Sequence, residues 1–338
     1  MAFFATLILI VVFLAILILG HELGHFLTAR LLKVRVEEFG FGYPPRLFSK
    51  NVRGVDYSFN LLPFGGFVKI PSLESGARSK DDDSFDFEFQ PVWKKALILF
   101  SGIVLNFLIG WLAFSVIFSV GIPKAIYIHA VLPDSPAAAA GLKSNDRILS
   151  FQNISDLNSF LKESAGNEIE LEVNRDGKIL KINAVPREPS PEKGALGVEL
   201  FETGVPKENF LGSVVKGFTT SCQTLGRIAK SLLSMVGNRD FSELTGPLGI
   251  WNAIGIAQNL GWPYLFQLLG LVSLNLVFIN VLPIPALDGG RLLFLLIEKI
   301  KGRPVNYRLE TIIHSIFLVI LLFLMLLVTI KDITKLLL

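Results

Sequence analysis

Residues Phe3 to Leu32 read FFATLILIVVFLAILILGHELGHFLTARLL, and no formal charge interrupts them before Glu22. On a helix, about 20 apolar residues cross the ~30 Å hydrocarbon core of a bilayer. The stretch is long enough and predicts a membrane helix. It has no Lys or Arg before Arg30 and no small-residue cleavage site after the run. It therefore reads as a retained helix rather than a removable leader.

Inside this helix stands His21-Glu22-Leu23-Gly24-His25. Residues four apart share a helix face, so both imidazoles can reach one ion. Glu22 is adjacent and can take a proton from water at that ion. A chance match is the competing explanation, but two of only four histidines in the chain have this spacing. The motif lies ~27 Å of helix beyond Phe3. Ionisable groups at membrane depth are costly and functional by default. Phe26, Leu27, Leu31 and Leu32 continue the apolar run and argue for depth rather than a headgroup position.

Three further stretches have the length and lack of charge to span: Ala96 to about Ile122, Trp262 to about Leu282, and Thr311 to Ile330. The 338-residue chain is 51% hydrophobic and 18% charged, below the roughly 25% charged residues of soluble domains. Its net charge of +3 is too small to imply a nucleic-acid partner. A single cysteine, Cys222, excludes a disulfide framework and a cysteine-rich metal site. Any metal must be held by His, Asp or Glu. The loops from Lys33 to Lys95 and from Arg291 to Arg308 are basic. Four spans put both on one side, which the positive-inside rule makes cytoplasmic. Both termini and the long middle region are then expected outside.

A catalytic zinc takes three protein ligands and a water, so a third ligand must come from elsewhere. The third span runs into Asn280-Val-Leu-Pro283-Ile-Pro285-Ala-Leu-Asp288-Gly289-Gly290. Asp288 is the only acid in or at the end of that apolar stretch, and topology puts it on the side of His21 and His25. The prolines break the helix and the glycines permit close backbone approach. An exposed aspartate in a helix-ending loop is the alternative. Asn280 is the amide nearest Asp288 and is expected to bind substrate backbone or an oxyanion, with an interhelical hydrogen bond as the alternative. Asn275 and His314 read as bundle packing.

Between the first two spans, Val55 to Leu61 alternates as a half-buried strand does. Pro63 and Gly65-Gly66 punctuate it, and Phe67 to Ile70 reads as a second strand. Ser79 to Glu88 is acidic and reads as a mobile linker. Residues Ala125 to Pro186 read as a small soluble domain. Its strands are expected at Ile126–Val131, Arg147–Phe151, Glu168–Val173 and Lys178–Val185. Short helices are expected at Ser135–Leu142 and Leu157–Lys162. From Asn209 to Met235 apolar residues recur at helical spacing, as in a surface or domain-packed helix.

The ordered set of motifs resembles the site-2 protease family of intramembrane zinc metalloproteases, in its regulator-of-sigma-E branch. His21 to Arg30 is similar to the family's first motif. Phe39–Phe48 and Leu62–Lys69 resemble its membrane-associated β segments, and Asn280 to Gly290 its aspartate motif. Ser101 to Asn106 stands where a second-helix motif usually has proline at the position of Ile103. The resemblance implies zinc held by His21, His25 and Asp288, with Glu22 as general base. Asp134–Leu142 and Asn145–Ile148 resemble a PDZ module, with Asn145 at a frequent glycine position.

The expected fold is an α-helical membrane protein. Four transmembrane helices carry a membrane-associated β-hairpin and an inserted α+β PDZ-like domain. The expected parts are a first membrane half (1–122), the PDZ-like domain (123–190), amphipathic or linker helices (191–261) and a second membrane half (262–338). The expected function is cleavage of single-span membrane proteins, such as an anti-sigma factor or a remnant signal peptide, in the bacterial inner membrane. The competing class is a catalytically silent membrane scaffold that binds partners through its PDZ region, which need hold no stoichiometric zinc.

Overall fold

The computed structural model describes residues 2–70, 85–175, 177–188, 194–240, 246–303 and 305–337. In chain order its elements are α1 (Ala2–Leu31), β1 (Glu38–Val52), β2 (Val55–Lys69), α2 (Val92–Val120), β3 (Ile122–Val131), α3 (Pro136–Ala139), β4 (Arg147–Ile148), α4 (Ile154–Glu163), β5 (Ile169–Arg175), β6 (Lys178–Ala184), β7 (Val198–Val205), α5 (Phe210–Asn238), α6 (Pro247–Leu260), α7 (Trp262–Val281), α8 (Asp288–Lys301) and α9 (Tyr307–Leu337). They form two compact units, Met1–Ser115 with Val214–Leu338, and Val116–Ser213.

The first unit is mostly helical. Four helices, α1, α2, α7 and α9, are long and apolar enough to cross a membrane. Their positions follow the expected spans, with shifted ends. Helix α2 begins at Val92 rather than Ala96, despite Lys94 and Lys95 in its first turn. Lys94 Nζ donates to Gln90 Oε1 at 3.1 Å, and Lys95 pairs with Glu298 at 3.5 Å. Ile122, expected at the end of this span, opens β3 instead.

Strand β2 is continuous through Pro63 and Gly65-Gly66, where a break between two strands was expected. Its partner β1 has no clear alternation and is flagged only by the family resemblance. Arg53 (φ 53) and Gly54 (φ 80) form the two-residue turn between them. Glu38–Phe41 lie between two stretches of β2, facing Asp56–Phe59 on one side and Gly66–Lys69 on the other. Of the expected acidic linker, residues 79–84 lie outside the described residues. Phe87–Phe89 form a 3-10 turn, and Phe87 is buried. It joins Phe26, Val36, Val55, Ile70, Ile98 and Leu295 in one core. Burying a large apolar side chain is worth about 1.5–3 kcal/mol, so this core ties α1, β2, α2 and α8 together. Residues 288–301, expected as loop, form α8, which ends at Gly302 in the left-handed conformation (φ 66).

The second unit is a five-stranded sheet of order β6-β5-β4-β3-β7 with α3 and α4. Ser135 and Asn153 cap the two helices, accepting from Ala138 N–H and Asp156 N–H. Ile126, Ile128, Ile148, Leu157 and Leu171 are fully buried in its core. Strand β4 is shorter than expected. Residues 198–205, expected within linker helices, form the edge strand β7, which pairs antiparallel with β3. Asn145 adopts φ 70, the left-handed region that glycine favours and asparagine tolerates.

Candidate metal centre

One turn of α1 brings the His21 and His25 rings edge to face, with centroids 4.7 Å apart. Their Nε2 atoms are separated by 3.1 Å. After α7 the chain passes through Pro283 and Pro285, and Asp288 opens α8. Asp288 Oδ2 lies 2.9 Å from His21 Nε2 and 3.5 Å from His25 Nε2. A Cβ added at Gly289 would overlap the Leu282 carbonyl, and one at Gly290 the Ile284 carbonyl. Backbone is met in both cases, so only glycine allows the chain to fold back this tightly.

Ala286 supports the same turn with φ 83, a conformation costing a residue with a Cβ about 1–2 kcal/mol. Its N–H donates to His314 Nδ1 at 2.7 Å. His314, read from the sequence as bundle packing, therefore holds the loop that presents Asp288. His314→Leu takes the partner from a part-buried N–H and is expected to cost about 1 kcal/mol. A lowered melting temperature in detergent is the readout. Unchanged melting would remove His314 from this supporting role.

Helix α2 shapes the other side. His25 Nδ1 lies 2.8 Å from the Ile98 carbonyl, which can only accept. Asn106 Nδ2 lies 3.4 Å from His21 Nδ1. A Cβ at Gly102 would fall 2.6 Å from His25 Nε2 and 2.8 Å from His21 Cε1. A Cβ at Gly24 would overlap the Ser101 carbonyl. Gly20, Gly24 and Gly102 thus bring two helices close enough for the rings to fit, as small residues do in membrane bundles. Residue-level reading missed Gly102 and Asn106. Only the resemblance of Ser101–Asn106 to a family motif could have flagged them.

His21, His25 and Asp288 form a group whose ligand atoms could hold one metal ion. Tetrahedral zinc with bonds of ~2.0–2.1 Å separates its ligand atoms by ~3.3 Å. The observed separations of 3.1, 2.9 and 3.5 Å bracket that value. Asp288 Oδ2 is buried and makes no hydrogen bond, although two imidazole nitrogens face it. Three electron-rich atoms this close could hold a cation among them, and two nitrogens with one carboxylate oxygen suit zinc.

Glu22 follows His21 in α1. Strand β2 passes beside it: a side chain at Gly66 would press on Glu22 Cγ at 3.2 Å. Asn280, in the last turn of α7, is half-buried, and no hydrogen bond ties it to His21, His25 or Asp288 among the described residues. Asn275 Nδ2 donates to the Leu271 carbonyl within its own helix.

A family model described as Peptidase family M50 matches residues 9–324. The chain belongs to peptidase family M50. This M50 peptidase, of the site-2 protease type, is 32% identical to the "Putative zinc metalloprotease" of Fusobacterium nucleatum subsp. nucleatum, over 98% of the chain and 99% of the relative. It is 33% identical to a protein of the same name in Nostoc sp., over 96% of the chain and 94% of the relative. It is 28% identical to the "Regulator of sigma-W protease RasP" of Bacillus subtilis, over 99% of both. The M50 peptidase is a membrane metalloendopeptidase, and its cofactor is zinc.

Proposed function

We propose that this M50 peptidase hydrolyses peptide bonds within the transmembrane segment of single-span substrates, with His21, His25 and Asp288 holding zinc and Glu22 moving the proton. The observation that carries this is the approach of two imidazole nitrogens and a buried carboxylate oxygen to within 3.5 Å of one another. Zinc there supplies the Lewis acidity that makes water a nucleophile near neutral pH. Glu22 accepts the proton of the attacking water and gives it to the leaving amine. Asn280 donates to the oxygen on which negative charge develops.

A helical substrate hides its carbonyls in hydrogen bonds and must unwind first. The β1–β2 hairpin, lying against the membrane, captures the extended segment by strand addition. Its Gly66 row runs beside Glu22, which favours this edge as the docking strand. Residues 123–190 form a PDZ-like domain that β7 completes. The basic loops favour an inner-membrane orientation with this domain and both termini on the periplasmic side. An anti-sigma factor or a remnant signal peptide fits as substrate.

The test is incubation of purified protein with a panel of single-span substrates, with and without a chelator. Cleavage inside the span, stopped by chelator and restored by zinc, is expected. Cleavage that persists without metal, or that falls only in soluble segments, would refute the proposal.

A further inference from the structure

We infer that Asn106 is a positioning residue that fixes the tautomer of His21 by accepting a hydrogen bond from its Nδ1–H; this rests on the metal reading above. Asn106 is 1% exposed on α2, and its backbone carbonyl is pinned by the Ser273 hydroxyl of α7 at 2.7 Å. Its Nδ2 stands 3.4 Å from His21 Nδ1, while its Oδ1 is buried with no hydrogen-bond partner.

An imidazole that offers its Nε2 lone pair to a cation keeps its proton on Nδ1, and that N–H must donate. Facing it with an amide NH₂ sets donor against donor and leaves Oδ1 orphaned. Turning the amide by half a rotation exchanges oxygen and nitrogen with almost no change of shape. Oδ1 and the Nδ1–H then satisfy each other, and of the three polar groups only the NH₂, now where Oδ1 lay, is left without a partner among the described residues. Leaving a buried polar group unpaired costs about 1–3 kcal/mol, which decides for the turned amide.

The same helix treats the second histidine in the same way. The Ile98 carbonyl lies 2.8 Å from His25 Nδ1 and leaves only Nε2 free for an ion. Ile98, Gly102 and Asn106 recur at four-residue spacing on α2 and so share one face. Two acceptors flank a glycine that makes room for both rings. Partners of this kind typically account for 10–100-fold in metal affinity, as a rough guide.

The test measures zinc affinity of the purified full chain in detergent by competition with a chromophoric chelator. Asn106→Leu keeps the volume and removes the acceptor. Asn106→Asp keeps an acceptor and removes the donor. Asn106→Leu is expected to weaken zinc binding about 10–100-fold, and Asn106→Asp to hold it at or above the wild-type level. Zinc binding by Asn106→Leu equal to wild type would overturn the inference. So would a folded Asn106→Asp that loses zinc, because the donor or the packing would then be what matters. Thermal unfolding of each variant shows whether it is folded. If Asn106→Leu is not, the Asp variant decides alone. A wild-type chain that takes up no zinc would overturn the metal reading itself, and this inference with it.

Discussion

Glu22→Gln is expected to bind zinc as the wild type does and to cleave its substrate about 10²–10⁴-fold more slowly. Glutamine keeps the length of the side chain but has no basic oxygen to take a proton. Glu22 stands beside the proposed ligands rather than among them, since the convergent atoms belong to His21, His25 and Asp288. It directly follows His21 in α1, which sets it next to the proposed centre. Zinc content per chain and cleavage rate, measured on one preparation, separate the two effects. Equal cleavage by the variant would remove Glu22 as the proton carrier. Loss of zinc would make it part of the metal site instead.

Gly102→Ala carries the second large effect. The added methyl would sit 2.6 Å from His25 Nε2 and Cε1 and 2.8 Å from His21 Cε1. Carbon and nitrogen do not approach so closely, so the rings must move. A displacement near 1 Å at a catalytic constellation costs on the order of 10²-fold in rate. The atoms met are side-chain atoms, so the helices need not separate. Zinc affinity and cleavage should therefore fall well before the melting temperature does. Gly24→Ala meets the Ser101 backbone instead and should lower the melting temperature as well. A Gly102→Ala enzyme with full zinc content and wild-type turnover would contradict the positions of both rings.

What the sequence reveals here is local. Helix α1 is legible because its apolar run is unbroken, and His21 and His25 because one helical turn already defines their relation. Asp288 is legible as an acid at the end of an apolar span, after two prolines and before two glycines. The partners across the fold are not. Nothing near Asn106 says that α2 will bring it to His21, and nothing near His314 says that it will meet Ala286. Lys94 and Lys95 hide the start of α2, because their partners Gln90 and Glu298 are supplied by folding. Pro44, Pro45, Gly40 and Gly42 look like punctuation, yet β1 runs through them. Strand β7 is recognisable only through its pairing with β3. Helix α8 did carry signals: Gly302 after its last turn, with Lys299 and Lys301 within it.

Zinc-edge X-ray absorption on the purified full chain, compared with Asp288→Ala, tests the metal centre most directly. One zinc per chain is expected, with two imidazole nitrogens and a carboxylate oxygen at ~2.0–2.2 Å, and the oxygen contribution should be lost or the metal released in the variant. Zinc bound without imidazole, or bound unchanged when Asp288 is removed, would contradict it.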